Sequence, residues 1–216
     1  MRTVCLWSAG KDSCFAYYKA GLAGHKILSL VNFTTNAGKN SLSHGLGSEL
    51  IKRQAQAAGI PLLQKAMPKG AGYREAFKDL LEQWKKEKAI EGIVFGDIYL
   101  EEHKVWIDKV CRELGLTAIM PLWGKDTTAL VTEFIKAGFK AIVVSTLAEF
   151  MGPEWLGRKI NNDFVTELKT LGNIDLCGEK GEFHSFVYHG PIFNELVNFT
   201  IGKKVLKDKH WFLELI

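Results

Sequence analysis

The sequence predicts an α/β fold: a doubly wound parallel sheet followed by a smaller C-terminal α+β domain. Three observations carry this. Through the first two thirds of the chain, short apolar runs alternate with amphipathic stretches in units of about thirty residues, the spacing of strand–helix–strand crossovers. The 216 residues, 47% of them hydrophobic, suffice for one large domain with an appendage and a substantial buried core. After about Leu147 the alternation gives way to short runs punctuated by Gly and Pro.

Taken in order, "RTVCLW" is a first strand, and "KDSCFAYYKAGLAG" a helix terminated by Gly24. "HKILSLVNFT" is a second strand, "SELIKRQAQAAG" a second helix ending at Gly59, and "IPLLQKA" a third strand. In "YREAFKDLLEQWKKEKA" the residues Tyr73, Phe77, Leu80, Leu81 and Trp84 make one apolar stripe at helical spacing, which is expected to be packing alone. "EGIVFGDI" follows as a strand, "EEHKVWIDKVCRELG" as a helix burying Trp106, Val110 and Leu114, and "LTAIMPLW" as a strand with Trp123 in the core. "TALVTEFIKAG" reads as a helix and "FKAIVVSTL" as a strand continuing the alternating pattern. "FMGPEWLGRKI" is a loop leading into the helix "NNDFVTELKTLG". The remainder, "GEKGEFHSFVYHGPIF", "LVNFTIG" and "KHWFLELI", supplies strands of a small sheet. Gly124 to Leu130 is a plausible hinge, so residues 1–125 and 126–216 are expected to form the two domains.

A formal charge of +4 with scattered lysines disfavours nucleic acid as a partner. No apolar run reaches eighteen residues and no signal-like segment opens the chain, which predicts a cytoplasmic protein with no membrane association. The four cysteines form no C-x-x-C and the six histidines do not pair, so buried thiols and no structural metal are expected. The oligomeric state is left open, a homo-oligomer included.

The chemistry-bearing stretch is Ser8-Ala9-Gly10-Lys11-Asp12-Ser13, placed where a strand turns into a helix. Such a turn aims free N–H groups and the positive end of the helix dipole at an anion above the sheet. Ser8 and Ser13 bring hydroxyls, Lys11 an ammonium, and Gly10 a close backbone approach. Asp12 suits either a helix cap or Mg²⁺ beside phosphates. The G-x-x-x-x-G-K-[ST] pattern is absent, and Asp follows the lysine. Gly96 and Asp97 end the fourth strand at the ligand-binding edge, where Asp97 reads as a nucleotide or Mg²⁺ ligand or as a helix cap. Glu179, Glu182 and His184 form a polar cluster between and beside Gly178 and Gly181, either a solvated turn or a group that holds ammonium and takes its proton.

S-G-G-K-D-S after the first strand is the signature of the PP-loop adenine-nucleotide α-hydrolases, ATP pyrophosphatases of the HUP fold type, and "SAGKDS" resembles it with Ala9 in place of a glycine. If that position takes a positive φ, the Cβ costs about 1–2 kcal/mol. Further on, "SLSHG", "IKRQAQAAGIPL", "GIVFGDI", "VWIDKVCRELGL", "MPLWG", "GFKAIVVS", "PEWLGR" and "CGEKGEFHSFVYHGPIF" resemble, in order and spacing, the diphthine–ammonia ligase family. Met120 stands where that family often has Glu, and Ser185 where it usually has Thr.

The resemblance implies an ATP-dependent ligase that adenylates a carboxylate, releases pyrophosphate, and lets ammonia displace AMP. It implies ATP with Mg²⁺, ammonium, and diphthine-bearing elongation factor 2 as protein substrate. It raises His44 to a nucleotide neighbour, Glu179, Glu182, His184 and Lys11 to catalytic groups, and Trp155, Gly157, Arg158 and Ser185 to substrate contacts, Arg158 through a bidentate anion contact. A PP-loop ligase for another carboxylic acid or a tRNA base, or an ATP-binding sensor, fits the loop alone.

Overall fold

The computed structural model describes residues 1–35, 38, 40–42, 44–68, 70 and 72–216. Five parallel strands form the first sheet: β1 (Arg2–Leu6), β2 (Lys26–Thr34), β3 (Leu62–Ala66), β4 (Gly92–Val94) and β5 (Thr117–Ile119), in the order β3-β2-β1-β4-β5. Helices α1 (Lys11–Leu22) and α2 (Ser48–Ala57) cover one face, while α3 (Gly72–Lys88) and α4 (Glu101–Leu114) cover the other. Val4, Cys5, Ile93 and Val94 are therefore fully buried, as central parallel strands require. The strand order reverses at β1, which puts the loops after β1 and β4 side by side at the carboxyl edge, the ligand-binding position of this architecture.

The second sheet is antiparallel, β7 (Phe183–His189), β6 (Lys140–Leu147), β9 (His210–Leu215) and β8 (Ile201–Lys207) in that order. Here two expectations are corrected. The run "FKAIVVSTL" does not extend the parallel sheet; as β6 it lies inside the antiparallel one. Ala141–Thr146 are buried throughout because the same apolar cluster draws on Phe15 of α1, Phe134 of α5 (Thr127–Lys136) and Phe164 of α6 (Asn162–Thr170). A central strand covered on both faces reads like a parallel one. The strand expected in "LVNFTIG" starts only at Ile201, and its Lys203, Lys204 and Lys207 guard the exposed edge that β8 forms.

One apolar cluster runs from β1 and β2 through α1 into β6 and β7, so the two sheets share a core. Asp126 and Asn161 cap α5 and α6, accepting from the Ala129 and Phe164 N–H groups at 2.8 and 2.9 Å. Two tryptophans expected in the core are only part-buried: Trp106 faces a cavity, and Trp123 lies under the Lys104 ammonium at 5.7 Å. Among the described residues no helix is long and apolar enough to cross a membrane, and all four cysteines are buried free thiols.

Candidate active site

The segment Trp7–Gly10 leaves β1 and enters α1 in a conformation fixed from three sides. Ala9 takes φ +71° and is wholly buried, so the Cβ cost foreseen for this position is incurred. Ser8 Oγ lies 3.1 Å from Ser13 Oγ and accepts the Gly10 N–H at 3.3 Å, while Ser13 Oγ donates to the Gly10 carbonyl at 3.0 Å. From the second sheet, the Val187 N–H donates to the Ala9 carbonyl at 3.1 Å, and Ser185 Oγ accepts the Lys11 N–H at 3.0 Å. Ser185, expected as a substrate contact, is buried and acts instead on the loop.

The third side is Gln54 of α2, fully buried and unforeseen in the sequence. Its Oε1 accepts the Trp7 indole N–H at 2.6 Å, and its Nε2 donates to the carbonyls of Ala9 at 3.1 Å and Val187 at 2.6 Å. Loop, helix and second sheet are thus tied at one carboxamide. Asn32 completes the frame by donating to the Trp7 carbonyl at 2.8 Å.

Over this loop opens a cavity of ≈ 280 Å³. Ser8, Asp12, Ser13, His44, Gly96, Asp97 and Glu179 line it, so seven of the expected residues meet there. Gly96 is where a strand end must pass close to the helix: a Cβ would come within 2.9 Å of the Asp12 carbonyl carbon and 3.0 Å of the Ser13 nitrogen. Gly10 has the same restriction against His44 Cε1, at 2.3 Å.

Glu179 reaches the cavity because Gly178 (φ +67°) and Gly181 (φ +87°) bend the turn that carries it. Its Oε1 accepts the Ile98 N–H at 2.8 Å. Burial, reinforced by the Asp12 and Asp97 charges, raises its pKa to about 7 against the lowering effect of that hydrogen bond and of Lys11. Asp97 Oδ1 lies 3.0 Å from His103 Nδ1. Among the described residues no three ligating side chains cluster as a metal site.

The histidines form a pair. His44 stacks on His184 at 4.6 Å between ring centroids. Burial, with the Lys11 ammonium and His210 adding to it, lowers His184 to about 4; burial, His184 and Lys11 hold His44 well below its ordinary value. Both rings are neutral at pH 7.

Several expected residues lie elsewhere. Lys11 is buried, and its Nζ turns beneath the loop to the Cys177 carbonyl and both Asp12 oxygens, at 2.9 and 2.8 Å for the latter. Burial opposes its charge, but Asp12 and the other anionic groups around it outweigh that and raise its pKa. Glu182 is buried with Oε1 and Oε2 accepting the Asp175 and Lys180 N–H groups at 3.0 Å each, so it closes the turn that presents Glu179. Trp155 is core, edge-on to Phe164, and Arg158 stacks on it while pairing in bidentate fashion with Glu167. Gly157 (φ +84°) packs by Leu213 and Ile201. None of these three lines the cavity. Conversely Tyr73, expected as packing only, does line it, beside Phe33. Ser43 of "SLSHG" lies outside the described residues.

Family models described as diphthamide synthase N-terminal domain and diphthamide synthase C-terminal domain match residues 1–118 and 126–215. The protein of Danio rerio named diphthine–ammonia ligase is 29% identical, over 98% of this chain and 91% of its own. Those of Bos taurus and Homo sapiens, of the same name, are 28% and 26% identical, each over 91% of this chain and 82% of theirs. A solved structure, that of a predicted subunit of tRNA methyltransferase from Methanocaldococcus jannaschii, aligns over 87% of this chain and 96% of its own with a TM-score of 0.47 and 16% identity.

Proposed function

The chain belongs to the diphthamide synthase family, and from that premise we propose that it is an ATP-dependent amide-forming ligase acting on diphthine of elongation factor 2 in the cytoplasm. Residues 1–125 bind ATP and residues 126–216 supply the turn that carries Glu179. One carboxylate oxygen of the substrate attacks the α phosphorus of ATP, the bond to the β-phosphate oxygen breaks, and pyrophosphate leaves. Ammonium loses one proton to a base, ammonia attacks the acyl carbon, a second proton is lost from nitrogen as AMP leaves, and so carboxylate, ammonium and ATP become amide, AMP, pyrophosphate and two protons.

The observation that supports this best is that Ser8, Ser13 and Glu179 line one and the same cavity at the sheet edge. The hydroxyls and the first-turn N–H groups of α1 suit phosphate oxygens. A carboxyl with a pKa of about 7 suits the proton that ammonium must lose before it attacks. Asp12, Asp97 and Glu179 repel one another there, which favours a cation, and Asp97 with Asp12 would meet the Mg²⁺ of an ATP complex. Mg²⁺, when bound, would neutralise charge on the departing pyrophosphate. His44 walls the cavity as a neutral ring with the neutral His184, itself not part of the lining, stacked on it, and Lys11 and Glu182 hold the loop and the turn in place.

The test incubates the protein with α-labelled ATP, Mg²⁺, ammonium and diphthine-bearing elongation factor 2. Labelled AMP formed only in the presence of the factor, and lost in Glu179→Gln, is the expected result; ADP as product, or AMP release indifferent to the factor, overturns the reading.

A further inference from the structure

A second, larger chamber of ≈ 570 Å³ opens beside the first and shares Tyr73, Asp97 and His103 with it. Its walls are aromatic. Trp106 and Tyr73 stand with ring centroids 6.0 Å apart, and Phe95 closes the floor. Its polar groups are the carboxylates of Glu102 and Asp97 and the His103 ring, and no lysine or arginine occurs among the described residues lining it. Aromatic faces with carboxylates at their margin suit a cation that has shed its water, since the ring quadrupole and the charge act in the same direction. A quaternary ammonium fits this best: it has no N–H to satisfy, presents methyl groups to the rings, and keeps its charge at every pH. A nucleotide base is neutral and gains no charge attraction from two carboxylates, only such hydrogen bonds as its amino group can donate.

We propose that this chamber binds the quaternary ammonium of the substrate while the carboxylate on the same carbon projects into the adjoining cavity beside Ser8 and Glu179. The proposal deepens the ligase reading, on which it rests, because diphthine carries a trimethylammonium next to the carboxyl that becomes the amide.

The test needs no turnover. Choline and its neutral isostere 3,3-dimethylbutan-1-ol are titrated against the full chain by calorimetry, and ATP affinity is measured in parallel. Choline binding about tenfold or more tighter than the isostere is expected from a desolvated cation–π site. The same preference should fall at least about fivefold in Trp106→Leu and in the surface variant Glu102→Gln, and return in Trp106→Phe. Equal binding of the isostere, or choline binding unchanged in both variants, overturns the proposal. So does a selective loss of ATP affinity in Trp106→Leu, which would give the chamber to the nucleotide base. The ligase reading stands or falls separately on AMP formation with the elongation factor.

Discussion

Replacing Gln54 with alanine removes the carboxamide at which loop, α2 and β7 meet. The Trp7 indole N–H is a single donor bonded at 2.6 Å, and in Gln54→Ala it is left in a buried position without that acceptor. An unsatisfied buried donor costs about 1–3 kcal/mol, and the two lost carbonyl bonds about 0.5–1.5 kcal/mol each. The sum is about 2–6 kcal/mol, with a centre near 4 kcal/mol. For a chain of this length, about 4 kcal/mol lowers Tm by about 8–16 °C. Thermal unfolding followed by circular dichroism measures it. A fall of less than about 4 °C would mean that the indole finds another acceptor and that Gln54 does not bind the three elements together. Gln54→Glu sharpens the test through its sign. A buried carboxyl facing two carbonyls is held protonated in the fold, so its pKa is raised and stability is lost as pH rises above the unfolded value. That variant should approach wild type at pH 4 and fall well below it at pH 8.

Four further outcomes are expected. The ligase rate should rise with pH through about 7 as Glu179 loses its proton, and Glu179→Gln should lose this rise together with about 10²-fold or more of the rate, read from a pH–rate profile. Gly96→Ala should weaken ATP at least about tenfold in calorimetry, since the new Cβ displaces the backbone of Asp12 and Ser13. Arg158→Ala should leave AMP formation unchanged and shift stability by no more than about 1 kcal/mol, because its carboxylate partner is on the surface; loss of ATP turnover would restore the guanidinium to the site. His184 is neutral in the fold and protonated in the unfolded chain between pH 6.5 and about 4, so stability should fall as pH drops through that window, and His184→Phe should flatten the fall in an acid-unfolding series.

The parallel sheet is legible because short, largely apolar runs alternate with helical stretches at the spacing of crossovers, and the turn Ser8–Ser13 is legible as a strand-to-helix junction because its small and polar residues interrupt the first apolar run. Other features are hidden for definite reasons. Ala141–Val144 is an unbroken apolar run, which a two-sided antiparallel strand shares with a parallel one. Gln54 stands in "KRQAQAAG", where a polar residue on an amphipathic helix ordinarily faces solvent; only the approach of β7 buries it. Glu179 and Glu182 share one turn, and the left-handed glycines on its path aim the first at the cavity and the second at backbone N–H groups. Arg158 finds its carboxylate on a helix that follows a loop, a juxtaposition spacing alone does not encode. Tyr73 sits at the start of its stripe, where the ring meets Trp106 of α4 and also lines the cavity.

The Val187–Ala9 and Ser185–Lys11 bonds mean that the loop between β1 and α1 is not the property of the segment that contains it. Produced as two polypeptides, residues 1–125 and 126–216, the protein would become a complementation pair in which neither piece alone makes the bonds that fix the loop. ATP affinity would then report reassembly, turning a ligand measurement into a meter of how strongly the halves recognise each other.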